Sequence, residues 1–135
     1  GEDTDVANMI QRYVLENTRL GIPPVLEGEA LHGLIAHKAT SFPQAIALAS
    51  TWQPELVNRV YSRAALQARS RGNHVMFTPV IDIARDPRWG RMEETYGEDV
   101  HMVTEMGIAA TSGLQGGGAA RAQRPRTEPV VLPAH

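Results

Sequence analysis

Apolar residues recur at helical spacing in three long stretches of the chain, and each stretch predicts a helix. In residues 4–19 they mark a helix with one buried face: Val6, Met9, Ile10, Tyr13 and Val14. In residues 54–71 they form the longest stripe: Leu56, Val57, Val60, Tyr61, Ala64, Ala65 and Ala68. The third helix begins after Asp99, a suitable N-cap, and ends near Gly113. A shorter helix is predicted within residues 40–51.

Short apolar runs between these helices predict strands. Val25 and Leu26 begin one strand, and residues 74–80 form another. Gly21 is predicted to cap the first helix in a left-handed conformation, and Gly72 is predicted to end the long one. Because strands alternate with helices, the sequence predicts an α/β fold in which helices pack outside a parallel sheet.

The pattern disappears near Gln115. Residues 115–129 contain a run of glycines and no large apolar side chain, so we expect a flexible loop there. Residues 130–135 form a short strand at most. We therefore divide the chain into a folded part, residues 1–116, and residues 117–135, a flexible loop with a possible following strand.

Charged residues concentrate in the loop that follows the second strand. They are Arg85, Asp86, Arg88, Arg91, Glu93, Glu94, Glu98 and Asp99. Pro87 and Gly90 are expected to fix the turns of this loop. Loops at strand ends are where α/β proteins place binding and catalytic groups, so we expect the functional site here.

Five segments resemble glycoside hydrolase family 3, which contains β-glucosidases and β-xylosidases. They are GIPPVLEGEALHG at residues 21–33, TSFPQAIALASTW at 40–52, DPRWGR at 86–91, EETYGED at 93–99 and GLQG at 113–116. The resemblance extends from about Thr18 to Gly116. It implies a (β/α)8-type barrel, a fold that needs about 250 residues. The 135 residues of this chain are therefore expected to form roughly the N-terminal half, with parallel strands and outer helices.

The resemblance also implies an activity. It indicates part of a retaining, exo-acting β-glycosidase that hydrolyses terminal β-linked glucose from oligosaccharides or β-glucosides, with this chain supplying the non-reducing-end sugar subsite. The alternatives are a β-xylosidase of the same family, a non-catalytic sugar-binding or scaffold module, and a fragment without a stable fold. The family's nucleophile lies in a later motif, often Ser-Asp-Trp, and its acid lies farther on. Neither motif occurs here, so we expect no catalytic residue in this chain and no activity from the chain alone.

Two residues are the main candidates for sugar contact. The guanidinium of Arg88 offers five donors in a rigid fork that suits paired hydroxyls, although it could instead pair with Asp86 or Glu94 and hold the loop. The carboxylate of Glu29 can accept hydrogen bonds from sugar hydroxyls, although a glutamate beside a loop is more often simply solvated. The resemblance implies a sugar contact for both Glu29 and Arg88.

Further candidates depend on weaker signals. His135 falls roughly where the family has a Lys-His pair that would contact the substrate, but Ala134 replaces the lysine. Trp52 and Trp89 could stack on a sugar ring, but we expect a buried or half-buried packing role for each. The acidic residues of the charged segment, Glu93, Glu94, Glu98 and Asp99, are not expected to catalyse. We expect them to form ion pairs with Arg85 and Arg91 or to cap the start of the last helix.

Composition excludes several other classes of protein. A net charge of −2 and a pI near 6.2 provide no basic surface for nucleic acid. The absence of cysteine excludes disulfides and thiolate metal sites, the histidines have no metal-binding spacing, and no metal or cofactor is expected. We predict neither a signal peptide nor a membrane span. The expected partners are a β-glucoside or oligosaccharide substrate and, further, the remainder of the barrel or a second copy. The compartment stays open.

Overall fold

The computed structural model describes residues 2–116 and the backbone of residues 126–130. Within these residues the helices are α1 (Glu2–Asn17), α2 (Ala45–Ala49), α3 (Pro54–Ser70) and α4 (Val100–Gln115). The strands are β1 (Glu27–Gly28), β2 (Val75–Val80) and β3 (Arg126–Val130). Helices and parallel strands alternate along the chain after β1, which agrees with the predicted α/β class.

The strands form a parallel sheet in the order β1-β2-β3, with β2 in the centre. Glu27 of β1 lies opposite Val75, which lies opposite Arg126 of β3 on its other side. At the far end of β2, Val80 pairs with Val130 after an irregularity in the register. Because the strands are parallel, the loops that leave the carboxyl ends of β1 and β2 emerge at the same edge of the sheet.

The two long helices that follow β1 and β2 pack directly on each other. Asn58 of α3 donates through Nδ2 to the carbonyl oxygen of Ala109 (3.1 Å), and Ser62 donates to that of Gly113 (3.3 Å). A Cβ atom at Gly113 would lie only 2.5 Å from the carbonyl oxygen of Asn58. The close approach of α3 and α4 therefore requires glycine at this position.

Helices α3 and α4 begin where the sequence predicts. Pro54 begins α3, and the preceding Gln53 gives no side-chain hydrogen bond as a cap. Asp99 caps α4, because its Oδ1 accepts a hydrogen bond from the backbone N–H of Met102 (2.7 Å). The prediction that Asp99 is an N-cap is confirmed.

An apolar core fills the space between α2, α3, α4 and the loop that precedes α4. Its buried members are Ala45, Leu48, Ala49, Val57, Val60, Tyr61, Ala65, Tyr96, Val103, Met106, Ala110 and Leu114. A second cluster lies between α3 and the segment that follows β1, and it consists of Ala30, Leu34, Ala64, Ala68 and Met76. These two clusters join the helices to the sheet.

The buried face predicted for the first helix is wrong for this structure. Ala7 is buried, whereas Met9 and Tyr13 are each 63% exposed. The reason is that α1 contacts the rest of the chain along a narrow line, for example where Thr4 donates to the carbonyl of Ser70 (2.9 Å). The helix also ends at Asn17, before Gly21, although Gly21 does adopt the predicted left-handed conformation.

Two other predictions need correction. Trp52 has no packing role among the described residues, because it is 76% exposed at the turn between α2 and α3. The loop predicted for residues 115–129 is wrong at both ends, since Gln115 belongs to α4 and Arg126 begins β3. Hydrogen bonding to β2 stabilises β3, and this partner is not visible in the local sequence pattern. Residues 117–125 and 131–135 lie outside the described residues, and the predicted boundary at residue 116 stays a prediction.

Candidate functional site

Two loops meet at the carboxyl edge of the sheet. The first loop follows β1 and covers residues 29–44; we call it the Glu29 loop. The second follows β2 and covers residues 81–99; we call it the charged loop. In open parallel sheets this edge is where ligands bind, so both loops are positioned to form a site.

The Glu29 loop is held in shape by its own backbone. The N–H of Phe42 donates to the carbonyl of His32 (2.7 Å), which closes the loop across its middle. Gly33 adopts a left-handed conformation with φ of 97°, and a Cβ there would lie 2.2 Å from the carbonyl oxygen of Thr40. Glycine is therefore required, and the loop that begins with Glu29 has little freedom to move.

The first turn of the charged loop contains an exposed ion pair. Asp86 accepts from the backbone N–H of Arg88 (3.0 Å) and from Nε of its side chain (3.0 Å). The Nη2 group of Arg88 donates to the other carboxylate oxygen (2.6 Å). This pairing lowers the pKa of Asp86 and raises that of Arg88. The Arg88 side chain is 90% exposed, so the pair stabilises the turn at the protein surface.

A second and less exposed ion pair lies farther along the charged loop. Arg91 donates through Nε to one carboxylate oxygen of Glu94 (2.9 Å) and through Nη2 to the other. A short 3₁₀ turn at Met92–Glu94 places these two residues on the same side of the loop. The fork-to-fork geometry fixes the plane of the Arg91 guanidinium.

Arg91, rather than Arg88, acts electrostatically on Glu29. Partial burial raises the pKa of the Glu29 carboxyl, the charge of Arg91 opposes this rise, and the charges of Glu94 and Glu27 add to it. Hydrogen bonding to Glu94 is the main cause that raises the pKa of Arg91, with smaller contributions from the charges of Glu29 and Asp82. The guanidinium thus lies in a set of carboxylates drawn from both loops. We call Glu29, Asp82, Arg91 and Glu94 the Arg91 cluster.

This arrangement can bind neutral, hydroxyl-rich ligands. A carboxylate only accepts hydrogen bonds, a guanidinium only donates them, and a sugar hydroxyl does both. Charged groups that are already held in place give stronger hydrogen bonds than flexible ones, because less conformational entropy is lost on binding. A pair of adjacent hydroxyls could therefore contact Glu29 and Arg91 together.

The residues predicted to contact sugar lie in different surroundings in the structure. Glu29 lies at the carboxyl edge, as a sugar contact requires. Arg88 is paired with Asp86, which is one of the two alternatives that its sequence allowed, and its part in binding stays a prediction. His135 lies outside the described residues. Trp89 is half-buried, as expected.

Among the acidic residues of the charged loop, two predictions are confirmed: Glu94 pairs with Arg91, and Asp99 caps α4. The nearness of Arg91 to Glu29 was missed. The spacing of Arg91 and Glu94 in the sequence indicates an ion pair, but only the parallel pairing of β1 with β2 brings that pair to Glu29.

Within residues 2–116, no group of three histidine, aspartate or glutamate side chains has an arrangement that could hold a metal ion. In the same part of the chain, every helix is too short or too polar to cross a membrane.

The structure places the Arg91 cluster at the carboxyl edge of a parallel α/β sheet, and comparison with known families shows to which family such a domain belongs here. The model of the glycosyl hydrolase family 3 N-terminal domain matches residues 2–124. This chain belongs to glycosyl hydrolase family 3.

Individual relatives include both β-xylosidases and β-glucosidases. A β-xylosidase from Formosa agariphila is 46% identical over 122 residues, which cover 86% of this chain and 17% of the relative. The structure of a β-glucosidase from Erythrobacter marinus superposes with a TM-score of 0.89 at 44% identity, covering 96% of this chain and 17% of the other. A β-glucosidase from Listeria innocua, solved as a mutant with laminaribiose, has a TM-score of 0.80 at 35% identity, covering 90% and 17%. The chain therefore spans about a sixth of the length of these relatives.

Proposed function

We propose that this chain supplies the non-reducing-end sugar subsite of a retaining, exo-acting β-glycosidase that hydrolyses terminal β-linked glucose. The observation that carries the proposal is the convergence of Glu29 and Arg91 from two loops at one edge of a parallel sheet. In this proposal Glu29 accepts from one sugar hydroxyl, and Arg91 donates to the same hydroxyl or its neighbour. Glu94 keeps the guanidinium of Arg91 in the orientation that this contact needs.

Arg88 has a secondary part in this proposal. Its forked donors are already used by Asp86, and its side chain extends into solvent. To contact a sugar it would have to leave Asp86, which costs an ion pair. We therefore assign Arg88 the task of keeping the charged loop in shape, and we retain a sugar contact as the alternative that mutation tests.

The barrel is the second part of the proposal. The β1-β2-β3 order, with helices after each of the first two strands, supports a (β/α)8 barrel, and such barrels place their sites at the carboxyl ends of the strands. The remaining strands would come from the protein that carries this chain. The exposed apolar side of α1 and the apolar groove beside α4 agree with this, since both would be covered in a complete barrel.

The chemical step needs groups beyond the Arg91 cluster. Retaining hydrolysis uses two carboxyl groups about 5–5.5 Å apart, one as the nucleophile and one as the acid and base. Glu94 is held by Arg91 and Asp99 caps α4, so neither is available as a nucleophile. The task of Glu29 and Arg91 is to hold the terminal sugar so that its anomeric carbon faces a nucleophile supplied by another strand.

A β-xylosidase is the second candidate, and a specific observation supports it. The relative from Formosa agariphila, 46% identical to this chain, is a β-xylosidase. Glucose remains our first proposal, because the superposing structures from Erythrobacter marinus and Listeria innocua are β-glucosidases and one of the latter contains glucose. Xylose has no hydroxymethyl group, so the two substrates differ at a position that Glu29 and Arg91 need not contact.

The experiment is a comparison of 4-nitrophenyl β-D-glucoside and β-D-xyloside as substrates of the protein that carries this chain. We expect faster hydrolysis of the glucoside, as judged by kcat/KM, and NMR spectra that show the β-anomer of glucose as the first product. Preference for the xyloside would support the second candidate. An α-anomer as first product, or hydrolysis of neither substrate, would contradict the proposal.

A further inference from the structure

A buried tyrosine connects helix α3 to the loop that carries Glu29. Tyr61 is 1% exposed, and its hydroxyl donates to the carbonyl oxygen of Leu31 at 2.9 Å. Leu31 is two residues beyond Glu29 in the chain. The hydrogen bond therefore anchors the start of the Glu29 loop to a long helix whose buried face packs in the core.

Two other hydroxyl groups lie next to that of Tyr61. Thr78 on β2 and Tyr96 in the charged loop are 0% and 2% exposed, and neither hydroxyl meets hydrogen-bond geometry with another described residue. Both nevertheless lie close enough to affect the ionisation of Tyr61. Burial raises the pKa of Tyr61, and the nearby hydroxyls of Tyr96 and Thr78 oppose that rise.

Tyr61 contacts the Glu29 loop through Leu31, and it lies near Tyr96 of the charged loop, which follows Glu94 by two residues. The buried hydrogen bond between Tyr61 and Leu31 is costly to break. A polar group that stays buried without a partner has given up its hydrogen bonds to water and gains none in return. This hydrogen bond is therefore suited to hold the Glu29 loop in place.

We propose that Tyr61 is a positioning residue: through its hydrogen bond to Leu31 it keeps the carboxylate of Glu29 at the place where it faces Arg91. The sugar-binding part of this inference rests on the function proposed above, whereas the positioning part does not. Tyr61 itself is buried, so its proposed role acts through Leu31.

The test compares Tyr61→Phe with Thr78→Val in the protein that carries this chain. Both variants remove one buried hydroxyl from the same cluster, but only Tyr61→Phe removes the hydrogen bond to Leu31. The first readout is the pKa of Glu29, measured by NMR of carboxyl-labelled glutamate and assigned with Glu29→Gln. The second is the dissociation constant for D-glucose, measured at fixed pH, with the melting temperature of each variant recorded.

Burial is the main cause of the raised pKa of Glu29. We expect Tyr61→Phe to release the loop, let water reach the carboxyl and so lower this pKa towards the ordinary value. We expect glucose affinity to fall about tenfold. Thr78→Val should leave both readouts unchanged, whatever it does to the melting temperature. An unchanged pKa in Tyr61→Phe, or equal changes in the two variants, would overturn the positioning role.

The two proposals fail separately. If Tyr61→Phe lowers the pKa of Glu29 but the unmodified protein does not bind glucose, the positioning role stands and the proposed sugar subsite falls. If glucose binds and Tyr61→Phe changes neither the pKa nor the affinity, the subsite stands and the positioning role falls.

Discussion

Arg91 and Glu94 form a forked ion pair, with Nε 2.9 Å from Oε1, and the charge of this Arg91 opposes the rise in the pKa of Glu29 in the other loop. The pair places a fixed positive group between carboxylates of two loops. An arginine held in this way donates to a ligand without first having to be ordered, which is the physical basis of preorganised binding. The site therefore depends on the Glu94 side chain as well as on the two groups that would contact the sugar.

Glu29→Gln should remove a pH dependence of sugar binding. Because its pKa is raised, the Glu29 carboxylate forms at a higher pH than that of an ordinary glutamate, so affinity should increase as the pH rises through the raised pKa. Glutamine cannot ionise and should bind weakly at every pH. The measurement is glucose affinity from pH 4 to 7; equal pH profiles for both proteins would contradict the assignment of Glu29.

Through Glu29, a rise in pH should lower the folding stability, whereas it should increase the affinity for sugar. A carboxyl with a raised pKa binds its proton more tightly in the folded state than in the unfolded state. Stability should therefore fall as the pH rises from the ordinary glutamate value to the raised one. Chemical denaturation at several pH values would show this, and the slope should be smaller in Glu29→Gln than in the unmodified chain.

Asp99→Ala should destabilise the fold and leave sugar binding alone. The change removes the cap that accepts from Met102, which costs about 1 kcal/mol. Glu98→Ala is the matched control, since it removes a neighbouring exposed carboxylate that caps no helix. Thermal unfolding should show a melting temperature a few degrees lower in Asp99→Ala than in Glu98→Ala. Equal melting temperatures would show that the cap contributes nothing.

Gly113→Ala should separate the two long helices. The added methyl group would lie 2.5 Å from the carbonyl oxygen of Asn58, so the helices must move apart at a cost of roughly 1–3 kcal/mol. Gly90→Ala gives a contrast, because it has a positive φ but no atom within 4 Å of the new methyl group. We expect the larger loss of unfolding free energy for Gly113→Ala; if both variants lose the same amount, helix contact does not explain the glycine.

Much of the fold could be predicted from the sequence because its signals are local. Each of three signals is contained in a few neighbouring residues. They are the apolar stripe of α3, the N-cap at Asp99 and the apolar run of β2. The exposed side of α1 and the strand at Arg126–Val130 could not be predicted in the same way. Their burial and hydrogen bonding depend on which distant segments lie beside them.

The candidate site, too, could be predicted from the sequence only in part. Glu29 follows a strand, and the family resemblance made it a candidate for sugar contact. The same resemblance favoured Arg88, because the sequence cannot say which arginine of the charged loop lies near Glu29. That choice is made by the 3₁₀ turn at Met92–Glu94 and by the pairing of β1 with β2.

The chain by itself should not hydrolyse 4-nitrophenyl β-glucoside, and it should associate in solution. Retention requires two positioned carboxyl groups, and the described acidic residues of the charged loop have other tasks. An apolar groove of about 410 Å³ beside α4, lined by Ile81, Ile83 and Ile108 among others, favours association. Sedimentation and an activity assay on one sample would test both; a monomer that hydrolyses the glucoside would contradict both.

The most direct test of the central claim compares Arg91→Ala with Arg88→Ala in the protein that carries this chain. The two residues lie in the same loop and each pairs with a carboxylate, but only Arg91 acts on Glu29. Titration calorimetry with D-glucose should show that Arg91→Ala weakens binding by about tenfold to over a hundredfold. Arg88→Ala should bind glucose nearly as well as the unmodified protein. If Arg88→Ala loses the affinity and Arg91→Ala retains it, the Arg91 cluster is not the sugar subsite.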